Sequence, residues 1–422
     1  MTKLPKVKRG PMTPNRKPLA PIAALTVWAA MASLATAQDW PQWRGRDRDG
    51  AIQVFREPAT WPERLTERWK VEVGLGYATP LLVRDRIYTY TRQGEDEVLT
   101  ALDAGTGTAL WRTAYPASFQ MNPATSKHGA GPKSTPAFAA GRLFTLGMSG
   151  IVTAFDAETG RRVWQKPAPP VSPLYHTATS PLVDGDLVIL YLGGHNDGAL
   201  TALDVSTGDV RWSWNGDGPA YGSPMVFELS GTRQVVTFSQ ENLASVSTAT
   251  GELLWRRPYT TQSTTTSQTP ILYRETVIEA GRGNGITAFR VVRQGAEWKT
   301  ENVWHTDEVS MHLSSGVAVD SVLFGLSHLN RGQYFALDLD TGRILWTSEP
   351  RQAENAGIVR AGEILFSLED DGELVVFGAS RTAFEAIGRY EVAASETWAQ
   401  PTISDNRVFV KDVSTLALLT WN

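Results

Sequence analysis

The chain has 422 residues, 42% hydrophobic and 20% charged, with a formal charge of −4 and no cysteine. That balance excludes a disulfide-stapled miniprotein and a disordered polyelectrolyte, and its mild acidity excludes a phosphate-backbone partner, which needs basic patches. The 37 Gly and 24 Pro fit many short strands joined by turns, and no long amphipathic helical pattern follows residue 37.

In chain order, residues 1–37 read as an export signal. Lys3, Lys6, Lys8, Arg9, Arg16 and Lys17 form a basic n-region, 19–35 is a small apolar stretch interrupted by Pro21, and Ala35-Thr36-Ala37 is a small-x-small cleavage site. A start at Met12 gives a more usual leader length. Cleavage after Ala37 removes six positive charges and no acid, so the formal charge passes from −4 to −10. The expected location is periplasmic or secreted, with no membrane span after cleavage and Gln38 rather than a lipid-bearing cysteine at the new N-terminus.

Residues 38–66 are expected to form an N-terminal extension packed on the main domain. Within it, Asp47-Arg48-Asp49-Gly50 resembles the start of a calcium loop, but the later ligands and the closing Glu are missing. A turn with exposed charges, beside packed Trp40 and Trp43, is the expected reading.

Residues 67–422 carry a repeat. LDAGTGTALW (102–111) returns as FDAETGRRVW (155–164), LDVSTGDVRW (203–212), VSTATGELLW (246–255) and LDLDTGRILW (337–346). Each copy is a strand, a small polar turn with Gly, and a strand bearing Trp. Thr-Gly supplies the positive φ of a tight hairpin, and an Asp such as Asp103 bonds back to the turn's backbone. Trp69, Trp111, Trp164, Trp212, Trp255, Trp304 and Trp346 follow one another at steps of 42, 53, 48, 43, 49 and 42 residues. They are expected to lie flat against the neighbouring unit as structural residues.

Eight similar openings start at Ala78, Ser134, Thr179, Gly222, Gln268, Ser314, Asn355 and Ala399. The last unit has three strands and no Trp strand, so the orphan segment around Trp69 is expected to supply its fourth. The expected fold is all-β, an eight-bladed propeller of four-stranded antiparallel blades over residues 67–422, closed by its N-terminal strand. Blade five has a long connection before Trp304, and blade seven lacks the Asp, the Thr-Gly and the Trp, ending instead at Tyr390. Both alternate as strands and count as blades.

This topology gathers the long connections on one face, where function usually sits. The residues just before each blade's first strand would rim the central channel: Tyr77, Lys133, His176, Tyr221, Ser267, His312, Glu354 and Trp398. They suit a small ligand or a peptide, and equally side chains that merely plug the channel. His128, His195, His305 and His328 sort to the same face or its edge, without a metal-binding spacing, so no metal is expected. The hairpin tip Gly193–Gly198, with His195, Asn196 and Asp197, reads as a turn, with backbone anion binding as the alternative. There is no GxSxG elbow, and the Gly-rich run 280–285 sits in a hairpin rather than before a helix, so no catalytic residue is assigned.

The recurring LDxxTGxxxW resembles the repeat of the pyrroloquinoline-quinone (PQQ) propellers, a superfamily that includes quinoprotein alcohol dehydrogenases and BamB-type scaffolds of outer-membrane assembly. The DWPQWRG opening at 39–45 is similar to exported propellers of this kind. The resemblance covers about 39–422 and implies the fold. The dehydrogenase branch implies PQQ under a disulfide of adjacent cysteines, with calcium held by carboxylate and amide ligands beside a catalytic Asp. This chain has no cysteine, no motif that matches those ligands and no CxxCH haem site. The expectation is therefore a monomeric, non-catalytic scaffold without a cofactor, binding a protein partner at the cell envelope. A quinoprotein oxidoreductase using PQQ and calcium is the alternative, and a periplasmic hydrolase or sugar-binding module a third reading.

Overall fold

The computed structural model describes residues 1–5, 39–261 and 266–421. The leader cleavage site lies outside these residues. Eight four-stranded antiparallel sheets stand around a central axis. Blades 1 to 7 are continuous in the chain, at 81–116, 137–166, 182–214, 225–258, 271–306, 317–347 and 356–391. Blade 8 takes three strands from 402–420 and its outermost from Thr66–Glu72, which pairs antiparallel with Thr415–Thr420. Ring closure by the orphan Trp69 segment is thus realised, and blades five and seven are complete.

The repeat works through one contact. Asp103 accepts hydrogen bonds from the Thr106 backbone N–H (2.8 Å) and hydroxyl (2.9 Å), and Gly107 N–H bonds back to the Asp103 carbonyl (2.9 Å). Asp156 and Asp338 repeat the pattern with Thr159 and Thr341. The turn Gly sits at φ +70° to +75° and lies under the indole of the preceding blade. Trp69 covers Gly107, Trp111 covers Gly160, Trp164 covers Gly208, Trp212 covers Gly251 and Trp304 covers Gly342. The indole N–H donates to a carbonyl of that next turn, as Trp164 does to Val205 (3.2 Å) and Trp304 to Leu339 (2.8 Å). Gly is required twice here, for backbone sign and for room under the ring. Trp255 differs: its neighbour lacks the Thr-Gly turn, so its N–H donates to Gln234 of its own blade (2.8 Å) and its ring meets Phe289 edge-on.

In blades 1 to 6 the Trp faces a small residue, as in Ala101↔Trp111, Ala154↔Trp164 and Ala202↔Trp212. A one-residue bulge follows each of these pairs. The bulge resets the strand so that the ring points at the neighbouring blade. The apolar cores accordingly lie between blades, as where Leu143 and Phe155 of blade 2 pack on Tyr88 and Leu99 of blade 1.

The openings of the units carry a second device. Ser or Thr before the Pro places a hydroxyl where it accepts the backbone N–H of the equivalent residue one blade back. The chain of bonds runs from Gln400 to Thr79 (3.3 Å), Thr79 to Thr135 (3.0 Å), Thr135 to Ser180 (3.0 Å) and Ser180 to Ser223 (3.0 Å). Thr269 likewise donates to Ser315 (3.2 Å). Buried amides at the channel wall are thereby satisfied at five of the eight blade-to-blade steps.

The segment ahead of Thr66 does more than lie on the surface. Trp40 pairs with Leu82 of blade 1, and the Pro41 carbonyl accepts Phe138 N–H of blade 2 (2.7 Å). Trp43 Nε1 donates to Thr269 Oγ1 of blade 5 (3.1 Å). Arg44 reaches the Ser315 and Gly316 carbonyls of blade 6 (3.2 and 2.7 Å), and Arg48 the Pro181 carbonyl of blade 3 (2.9 Å). Ile52 and Val54 then bond to Arg360 and Asp405 at blades 7 and 8. This strap crosses the ring and touches seven blades. Arg44 and Arg48 are only 1% and 3% exposed; backbone carbonyls accept from Arg44, and the Ser180 and Pro181 carbonyls and Gln42 Oε1 from Arg48. Asp49, in the calcium-like turn, is occupied: Oδ1 accepts Ala51 N–H (2.9 Å) and Oδ2 faces Arg360 (3.3 Å). No helix among the described residues is long and apolar enough to cross a membrane.

Candidate functional site

The strap turns the channel into a blind hole. What remains open is a cavity of about 410 Å³ on the face of the long loops. Each blade's innermost strand begins there, so the residues just before it are brought to the axis. Tyr77, Lys133, Tyr221, Ser267, His312, Glu354 and Trp398 all line the cavity. His176 does not. Its φ of +65° turns the ring away from the axis, beneath Phe119 (4.9 Å between centroids) and the Asn122 N–H, and Tyr175 takes the place at the wall.

Further lining residues lie outside the expected rim. Trp43 comes from the strap and forms the floor. Arg282 projects from the 280–285 hairpin. The single-turn helix Pro123–His128, capped by Asn122 accepting from Ala124 N–H (2.9 Å), brings Thr125 and His128 over the mouth.

That helix reaches far across the ring. Lys127 Nζ is 2.7 Å from Glu354 Oε2 and 5.4 Å from the Trp398 ring centroid, and the His128 ring stands edge-on to Trp398 at 4.5 Å. Among the described residues Glu354 is the only carboxylate that lines the cavity, and it is engaged by that ammonium. Tyr221 is held from two sides, its hydroxyl accepting Tyr175 N–H (3.0 Å) and facing His195 Nε2 (3.1 Å). His195 is therefore a second-row support for the wall. The rest of its hairpin tip is spoken for: Asp197 accepts Gly194 N–H (2.9 Å), and Asn196 accepts from Gln240 (3.4 Å). His305, outside the cavity, sits between Thr287 and Asp307.

Burial sets the ionisation of these groups. It pulls His312 down to about 4, with Arg282 and His328 adding repulsion, so its imidazole is neutral at pH 7. It lowers Lys133 to about 8, with no carboxylate offsetting the loss of water. Burial, then the charges of Glu396 and Asp412, push the Tyr77 phenol up to about 12. The cavity is thus aromatic and hydroxyl-lined, with positive charge at Lys133 and Arg282 and its one negative charge neutralised by Lys127.

The family model described as outer membrane protein assembly factor BamB matches residues 95–348. The chain belongs to the BamB-type PQQ-like β-propeller family. BamB of Yersinia pestis is 24% identical over 331 residues, covering 75% of this chain and 70% of that protein. Polyvinylalcohol dehydrogenase of Sphingopyxis sp. (strain 113P3) is 27% identical over 196 residues, covering 42% of this chain; the match spans only 28% of the dehydrogenase. BamB of Moraxella catarrhalis superposes with a TM-score of 0.61 at 16% identity, covering 85% of this chain and 98% of that one. Quinohemoprotein alcohol dehydrogenase of Comamonas testosteroni superposes at 0.68 and 16%, covering 93% and 82%. These propellers share the fold with both branches of the family.

The quinoprotein branch implies a quinone with calcium, and the donor set here does not suit the ion. Calcium takes six to eight oxygen ligands with carboxylates among them. Glu354 alone is at hand, already paired with Lys127, and no cluster of three metal-ligating residues occurs among the described residues.

Proposed function

We propose that this BamB-type propeller is a non-catalytic binding scaffold of the bacterial cell envelope, exported by its leader, which engages a protein partner through the loop face around the axial cavity. The observation that carries this reading is the cavity itself: blind, walled by Trp43, Tyr77, Tyr175, Tyr221 and Trp398, and with its one carboxylate already paired. Aromatic anchors in a preformed pocket are what interface hot spots are made of. General acid–base chemistry needs a positioned proton carrier; the paired Glu354 and the low-pKa His312 are poor candidates for one. The names of the BamB relatives support the envelope assignment.

The test is site-specific photocrosslinking in envelope preparations. A crosslinker at Trp398, on the loop face, is expected to capture one discrete envelope protein; one at Ala140, in a tight turn of the opposite face, is expected to capture none. Equal capture from both positions counts against the reading. So does dye reduction by the purified protein after addition of PQQ and Ca²⁺, which is the signature of the oxidoreductase alternative.

A further inference from the structure

The cavity has one feature that narrows its occupant. It is closed at the far end by the strap, so a polypeptide cannot pass through it and can enter only by a loop tip or a chain end. Lys133 stands in its wall, mostly removed from water, and its ammonium has one polar contact, the Tyr175 carbonyl at 3.5 Å. It forms no ion pair among the described residues. Burying a cation without a counter-charge is costly, so a ligand that supplies an anion there relieves a cost already present in the free protein.

Around Lys133 the wall alternates in kind. Tyr175 and Tyr221 offer ring faces, while Ser180, Ser223 and Thr269, whose hydroxyl oxygens already accept Thr135 N–H, Ser180 N–H and Trp43 Nε1–H, line the cavity with O–H groups as donors. Arg282 gives a second positive charge at the edge. A cavity of about 410 Å³ is within the range that encloses a compact ligand or a short chain end.

Resting on the reading of this face as a partner-binding surface, we infer that the axial cavity captures the C-terminal end of a partner polypeptide, its free α-carboxylate paired with Lys133 and its last, apolar side chain between the tyrosines and Trp43. A chain terminus is the simplest group that joins an anion to an apolar side chain and to backbone acceptors. A loop tip satisfies the shape, but supplies the anion only where it carries an acidic side chain.

Binding of three probes to the purified full chain, followed by calorimetry, tests the inference: acetyl-Gly-Gly-Phe as the free acid, the same peptide as its C-terminal amide, and 3-phenylpropionate. The free acid is expected to bind about ten-fold more tightly than the amide, the weight of one charge-assisted hydrogen bond, and more tightly than 3-phenylpropionate. Lys133→Gln is expected to abolish the preference for acid over amide while leaving the amide's affinity unchanged, and Lys133→Arg to retain it. The acid–amide comparison on the unsubstituted protein stands whether or not either variant folds. Equal affinity for acid and amide overturns the inference, and, if Tyr221→Ala weakens both alike, leaves the partner-binding face intact. Binding of 3-phenylpropionate as tight as that of the peptide overturns it in favour of a small acid. No binding by any probe at millimolar concentration overturns it too, and the crosslink from Trp398 then judges the binding face separately.

Discussion

The stacking of each blade's Trp on the next blade's Gly predicts a contrast between two glycines of nearly equal backbone angle. Gly208 (φ +75°) lies under Trp164, and a Cβ built on it stands 2.7 Å from the ring; Gly141 (φ +73°) has nothing within 4 Å of that position. Alanine at positive φ costs about 1 kcal/mol at either site. Only at Gly208 must the indole also move, which adds the roughly 1–3 kcal/mol of an overpacked core and strains the Trp164 bond to Val205. Gly141→Ala is therefore expected to destabilise by about 1 kcal/mol and Gly208→Ala by about 2–4 kcal/mol. Urea unfolding followed by far-UV circular dichroism measures both, through shifts in midpoint at constant slope. In a Trp164→Leu background the excess cost at Gly208 is expected to vanish, because the two residues are directly coupled. Equal costs at Gly141 and Gly208, or an excess that persists without the indole, would refute the stacking account.

Two further outcomes follow from buried charge. Glu369 is 1% exposed and accepts the Tyr334 hydroxyl (2.6 Å), and burial raises it to about 7 despite help from Tyr334 and Arg389, with Glu373 and Asp371 opposing. A raised carboxyl binds more protons folded than unfolded, so its contribution is fully present only below its unfolded value of 4.5 and is lost as pH rises through its folded value of about 7. Glu369→Gln, which keeps the acceptor for Tyr334, is expected to remove about 2–3 kcal/mol of that pH dependence, read as the difference in unfolding midpoint between pH 5 and pH 8. In the strap, Arg44→Met strips donors from the Ser315 and Gly316 carbonyls and is expected to cost about 3 kcal/mol, against less than about 0.5 for the neighbouring exposed Arg46→Met; denaturant unfolding checks both.

The architecture was legible because its determinants are local. An Asp, a Thr-Gly and a Trp at fixed spacing report one hairpin and one interblade contact without reference to the rest of the chain. Counting them, and noticing that Trp69 had no unit of its own, was enough to close the ring. The cavity was legible to the same depth, since the residues that open an innermost strand are brought to the axis by topology alone. The exceptions mark where local information ends. At His176 one left-handed residue exchanged the wall position for Tyr175, a shift of register with no motif behind it. Trp43 reaches the axis along a path set by distant blades, Arg282 reaches it from a hairpin with no motif to mark it, and the contact of Lys127 with Glu354 joins residues that no spacing connects. The hydroxyls of Thr135 and Ser180 were visible as a recurring opening, but their role as acceptors depends on the distance between blades.

The strap has a consequence for how the molecule comes into being. Its residues emerge from the ribosome before any blade, yet their bonding partners are spread over blades from the first, at Leu82, to the last, at Asp405. A partial chain holding only the early blades has nowhere to seat Arg44 or Ile52, and its axis stays open to water. Final assembly therefore waits for the last strand, when the two ends of the ring meet in one sheet.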